Sequence, residues 1–212
     1  MRLILASSSP RRADLLRAAG YGFETIAADV DESIRAGESP SAYVRRLAAD
    51  KSAAAMGTLK AGATSNPPAP AFRPADVVVL GADTTVVVDG EILGKPRDDE
   101  DAAGMLRKLS GKRHEVLTGV SLRHGAHEVG RVETTAVYVR ALSEEELSWY
   151  TASGEGRGKA GAYAVQGLAS RFIPRIEGSY SNVVGLPIAA VAELLREISD
   201  IPPDRRPRAP SD

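Results

Sequence analysis

Cysteine is absent from the 212-residue sequence. Its absence removes disulfides, thiolate nucleophiles and zinc–thiolate centres at one stroke. Histidine is scarce, with His114, His124 and His127 the only three, so a histidine-rich metal cage is not expected. Charge of one sign is not in excess either. Lysine and arginine total 27 against 28 aspartate and glutamate, a net charge of −1, and no global field draws the chain to nucleic acid or to a membrane surface. No apolar run approaches the ~20 residues of a membrane span, and the short run after Met1 is far too brief for a signal-peptide core. A Gly-x-x-x-x-Gly-Lys-Ser/Thr loop and a Gly-x-Gly-x-x-Gly turn after a strand are both missing, which argues against an ordinary P-loop NTPase and against dinucleotide binding. The expectation is a cytoplasmic protein whose anion recognition, if any, is local.

With 43% hydrophobic and 26% charged residues, the chain suits one medium-sized domain with an ample core. Residues 1–200 are expected to form that domain. Residues 59–75, rich in Ala, Gly and Pro, look like a flexible surface insertion, and residues 201–212 like a disordered tail. Leu3-Ile4-Leu5-Ala6 predicts a strand and Arg11 to Ala19 a helix, with Ser9 as N-cap, Pro10 at the first helical position and Gly20 past the end. Ser39-Pro40 opens a second helix to about Met56. Val77 to Leu80 predicts a buried strand ending at Gly81-Ala82-Asp83-Thr84, and Thr85 to Val88 continues through Asp89-Gly90 into a hairpin. A helix over Asp99–Leu109, two long strands over 114–139 and a capping-box helix from Ser143 follow. Phe172-Ile173 predicts a short strand, and a last helix ends near Ile198. Strands and helices alternate but hairpins fill the middle, so the expected class is α/β with a mixed sheet.

Several residues carry candidate chemistry, each with a plainer alternative. The Ser7-Ser8-Ser9-Pro10-Arg11-Arg12 segment offers hydroxyls, free helix amides and two guanidiniums, either an anion site or a solvated basic helix start. Lys51 falls on the apolar stripe of its helix, where a lysine needs a partner or must snorkel. Asp83 at a strand end can bind Mg²⁺, act as a general base on water, or simply cap a turn. Lys95, between Gly94 and Pro96, suits a phosphate or plain surface. Asp31 and Glu32 are two further oxygen donors or a solvated acidic pair. No serine–histidine arrangement accompanies them, and this set suits stabilising a polyphosphate better than forming a covalent intermediate.

Eight blocks in order then resemble the Maf family: Leu5 to Arg12, Leu80 to Thr84, Gly94-Lys95-Pro96, Leu109-Ser110-Gly111, Thr118-Gly119-Val120, Lys159-Ala160-Gly161-Ala162-Tyr163, Gln166-Gly167 and Val184-Gly185-Leu186-Pro187. The resemblance spans roughly Leu3 to Ile198. It implies an elongated α/β fold with a cleft between two lobes, related to the inosine triphosphatases, and a house-cleaning nucleoside triphosphate pyrophosphatase that requires a divalent metal, Mg²⁺ or Mn²⁺. It implies Asp83 as the catalytic acid residue, Ser7, Arg12, Lys51 and Lys95 along the triphosphate, and Asp83 with Asp31 or Glu32 at the metal. Arg11, Thr84 and Gln166 match the trio of the branch that prefers dTTP and UTP, with CTP or modified pyrimidine nucleotides as further candidates. Where the family usually carries glutamate, this chain has Asp31. A homodimer is implied too, as is an alternative role in inhibiting septum formation through a partner.

Overall fold

A mixed sheet forms the frame of the computed structural model, which describes residues 1–63 and 76–200. Its strands are β1 (Arg2–Ala6), β2 (Phe23–Ile26), β3 (Val77–Val88), β4 (Glu91–Leu93), β5 (Arg113–His124), β6 (His127–Tyr138) and β7 (Arg175–Glu177). They lie in the order β2-β1-β3-β5-β6-β7, with β4 alongside β3. β1 runs parallel to β2 and β3, whereas β3, β5, β6 and β7 are successively antiparallel. The expected α/β class with a mixed sheet is what the chain adopts. The helices are α1 (Pro10–Ala18), α2 (Pro40–Ala63), α3 (Asp99–Leu109), α4 (Glu144–Ala152), α5 (Tyr180–Val184) and α6 (Ile188–Ser199). No described helix is long and apolar enough to cross a membrane.

Apolar side chains gather on both sheet faces, and one face is divided along its length. α2 covers Ile4, Ala6, Val77 and Val79. Opposite it, α1 and α6 bury Leu3, Leu5, Val78, Leu80 and Leu122. Farther along β3 and β5, α3 and α4 enclose Val86, Val88, Val116, Tyr150 and Phe172 in a separate core. Two lobes result, with β3 and β5 passing through both.

The seat of α2 is set by glycines. A Cβ on Gly81 would overlap the Ala48 carbonyl and lie 2.7 Å from Ser52 N, and one on Gly119 would overlap the Val44 carbonyl and lie 2.8 Å from Arg45 N. The helix backbone therefore rests directly on β3 and β5. Gly119→Ala is expected to destabilise the fold by about 3 kcal/mol, because the clash is with backbone and cannot be relieved by a rotamer change. Gly57→Ala is the contrast. That glycine lies in the same helix with nothing within 4 Å, so alanine there is expected to add about 0.5–1 kcal/mol through helix propensity. Urea midpoints of the two variants check both signs.

Four expectations are corrected. β3 is one continuous strand, because Gly81 to Val87 stay paired with β5 throughout. α2 continues past Met56 to Ala63, where Lys60 and alanines favour helix; the remainder of the expected insertion, and the expected tail, lie outside the described residues. Phe172-Ile173 is not a strand. Phe172 closes a 3-10 turn (Leu168–Phe172) and packs edge-on against Tyr150 at 5.8 Å. Ser9 has an extended N-cap backbone but its side chain caps nothing, and Ser7 Oγ instead accepts from Ser9 N at 3.2 Å.

Candidate active site

β1 stops at Ala6, opposite Gly81, and β4 joins β3 only from Val86 onward. Between these points one flank of β3, at Ala82 to Thr85, lacks a strand neighbour. This gap falls at the carboxyl end of β1, between the two lobes, where open α/β sheets characteristically bind ligands. A cleft of about 300 Å³ occupies it.

Strand alternation sends Asp83 toward α2 and Thr84 toward α1, and the cleft reaches both. Asp83 is only 8% exposed and Lys51 only 7%. The Lys51 ammonium donates to Asp83 Oδ1 at 2.6 Å and to Glu32 Oε1 at 2.7 Å. The lysine on the apolar stripe thus has a partner, reached because α2 sits so close to Gly81. Glu32 extends the chain of charges: its other oxygen is 3.4 Å from the exposed Lys95 ammonium. Burial pushes the Glu32 carboxyl up, but the hydrogen bond and charge of Lys51 outweigh it and hold the group below its usual range. Tyr43 donates to the Glu32 carbonyl at 3.0 Å and steadies the acidic loop.

The opposite wall is cationic. Arg12 Nε donates to the Gly185 carbonyl at 2.8 Å, and its two terminal nitrogens to Ser7 Oγ at 3.2 Å and Thr84 Oγ1 at 3.0 Å. The Thr84 hydroxyl is committed to this cluster, 2.9 Å from Thr118 Oγ1 and 3.2 Å from the Gly185 carbonyl. Burial lowers the pKa of Arg12, with Asp83 and Glu32 opposing the effect. Arg11, lowered by burial as well, points into the cleft without a hydrogen-bonding or ionic partner among the described residues. Lys159 lines the same wall, its pKa lowered first by burial and then by Arg11; its ammonium donates to the Glu155 carbonyl. Gln166 is exposed on the cleft lining.

The structure thus brings Ser7, Arg11, Arg12, Glu32, Lys51, Asp83, Thr84, Lys95 and Gln166 to one cleft. Asp31 is not among them. Its exposed carboxylate turns away to accept from Ser33 N at 2.9 Å, and that backbone hydrogen bond lowers its pKa. Lys159 is the cation that composition and spacing did not single out. Its signals in the sequence are a basic residue inside a glycine-rich run and its place at the start of one family-like block, neither of which assigns it a role. For a metal, no group of three or more candidate ligand residues converges among the described residues. The two carboxylates that face the cleft, Asp83 and Glu32, instead suit a hard cation that takes its remaining oxygens from phosphate and water.

A family model described as Maf-like protein matches residues 2–198. The chain is 47% identical to a dTTP/UTP pyrophosphatase of Anaeromyxobacter sp. (strain Fw109-5), covering 99% of this chain and 96% of that protein. It is 49% identical to one from Hahella chejuensis over 92% of both chains, and 48% identical to one from Vibrio cholerae over 92% of this chain and 97% of the other. Among solved structures, the Staphylococcus aureus Ham1 protein aligns with a TM-score of 0.43 at 11% identity, over 94% of this chain and 98% of that one.

Proposed function

The chain belongs to the Maf family, and from that membership and the chemistry of its cleft we propose that it is a nucleoside triphosphate pyrophosphatase acting on dTTP and UTP. Water adds across the anhydride between the α and β phosphates, giving the nucleoside monophosphate and pyrophosphate. The observation that carries this reading is the cleft's division: a carboxylate clamped by one buried ammonium on one side, and a wall of cations with no matching carboxylates on the other.

Asp83 takes the proton of the attacking water, and Lys51 fixes which of its oxygens is free to do so. Ser7 and the first amides of α1 receive phosphate oxygens, with Arg12, Lys95 and Lys159 balancing the charge on the departing pyrophosphate. Thr84 contributes by holding the Arg12 guanidinium. Asp83 and Glu32 are the residues that would hold a divalent cation, Mg²⁺ or Mn²⁺, whose chemistry is charge neutralisation at the phosphates. Arg11 and Gln166 offer donors to the carbonyl oxygens of uracil or thymine. A base lacking those acceptors leaves donors unpaired and is rejected.

Steady-state rates on dTTP, UTP, CTP, ATP and GTP with Mg²⁺ or Mn²⁺ test the reading. The expected order places dTTP and UTP first. Gln166→Ala is expected to cut the preference for UTP over CTP about tenfold, the cost of roughly one good hydrogen bond. Equal rates on all five nucleotides would sink the assignment of base selection to this site.

A further inference from the structure

Gln166 stands at the third position of a tight turn in which Gly167 N donates to the Ala164 carbonyl at 3.1 Å. The two flanks of that turn are tied to two side chains that bond each other, and neither of these lines the cleft. Upstream, Ala164 N donates to the Tyr150 hydroxyl oxygen at 3.1 Å. Downstream, Leu168 N donates to Glu155 Oε1 at 2.8 Å and Ala169 N to Oε2 at 3.3 Å. The Tyr150 hydroxyl in turn donates to Glu155 Oε2 at 2.8 Å, which closes the circuit. Tyr150 is 1% exposed, and burial together with the Glu155 carboxylate pushes its hydroxyl pKa up, so it stays a donor.

Gly167 belongs to the same device. A Cβ there would overlap the Glu155 carboxylate, and its backbone lies at φ −113°, so glycine serves close approach and not a left-handed turn. The Glu155 main-chain carbonyl also accepts from Lys159. One residue outside the cleft therefore grips the glutamine turn through its carboxylate and a cleft cation through its backbone. Hydrogen bonds from amides to an ionised acceptor are shorter and stronger than neutral ones. A glutamine amide discriminates between bases only while its reach is fixed to a fraction of an ångström.

We propose that Glu155, acting with Tyr150, is a positioning residue that holds Gln166 at the base and so sets which nucleotide the cleft accepts. The inference rests on the pyrimidine nucleotide reading above. Its test compares Glu155→Ala, Glu155→Gln and Tyr150→Phe with the natural protein, measuring kcat and KM for UTP and CTP together with amide hydrogen exchange over residues 164–169. Glu155→Ala is expected to raise KM for UTP and lower the UTP-to-CTP ratio of kcat/KM about tenfold, with a smaller change in kcat. Faster exchange at Leu168 and Ala169 is expected alongside. Glu155→Gln, which keeps one acceptor oxygen, should fall between, and adding Gln166→Ala to Glu155→Ala should cost little more. Tyr150→Phe removes a single oxygen and decides the matter should Glu155→Ala not fold. A folded Glu155→Ala or Tyr150→Phe protein with an unchanged ratio, or one slowed equally on both nucleotides, would overturn the proposal. Failure of the natural protein to hydrolyse UTP would instead remove the reading beneath it.

Discussion

Asp83→Asn is expected to lower kcat on UTP by about a thousandfold while nucleotide still binds, the scale of loss when a positioned general base is removed. Asparagine matches aspartate in shape, so β3 keeps its pairing with β5 on one side and its open flank on the other. Lys51 retains Glu32 as a partner 2.7 Å away, and no buried cation is stranded. What goes is the only carboxylate that faces the cleft from the strand itself. Rapid-quench turnover and equilibrium binding of a fluorescent UTP analogue separate the two effects. Turnover within a few fold of the natural rate would take Asp83 out of the chemistry.

Lys51→Met is expected to damage both stability and rate. Methionine fills much the same volume but leaves Asp83, with its side chain 11% exposed, and Glu32, at 44%, facing one another with no ammonium between them. Removing one partner of a buried ion pair costs about 3–5 kcal/mol. The lower end applies because Glu32 is close enough to the surface to turn toward water. A drop in kcat on the order of 100-fold should follow, since Asp83 loses the contact that orients it. Adding Asp83→Asn should restore much of the stability and none of the activity. Urea denaturation and turnover of the single and double variants distinguish these outcomes, and a stable Lys51→Met protein would contradict the placement of the ammonium between two carboxylates.

Much of this was legible in the sequence wherever local chemistry decides. Pro10 starts α1, and the capping box at Ser143 forms with Glu146, whose amide donates to Ser143 Oγ at 3.2 Å. Lys51 could be placed on a buried stripe from helical period alone. Its partners could not be named, since Glu32 and Asp83 come from a loop and a strand 19 and 32 residues away in sequence. The gap beside β3 was equally hidden, because it depends on where β1 ends and not on anything in β3. Asp31 and Glu32 look equivalent in sequence, yet the reach of Lys51 selects the second and Ser33 engages the first. Phe172-Ile173 has the composition of a strand, but packing against Tyr150 and Trp149 overrode it. Lys159 was obscured by glycines that read as a loop, and only the fold brings it beside Arg11.

The product pair from UTP tests the central claim most directly. In ¹⁸O-labelled water with Mg²⁺, phosphorus NMR is expected to show UMP and pyrophosphate appearing in equal amounts, with one labelled oxygen per turnover, and Asp83→Asn forming both about a thousandfold more slowly. UDP and orthophosphate as the first products would contradict it.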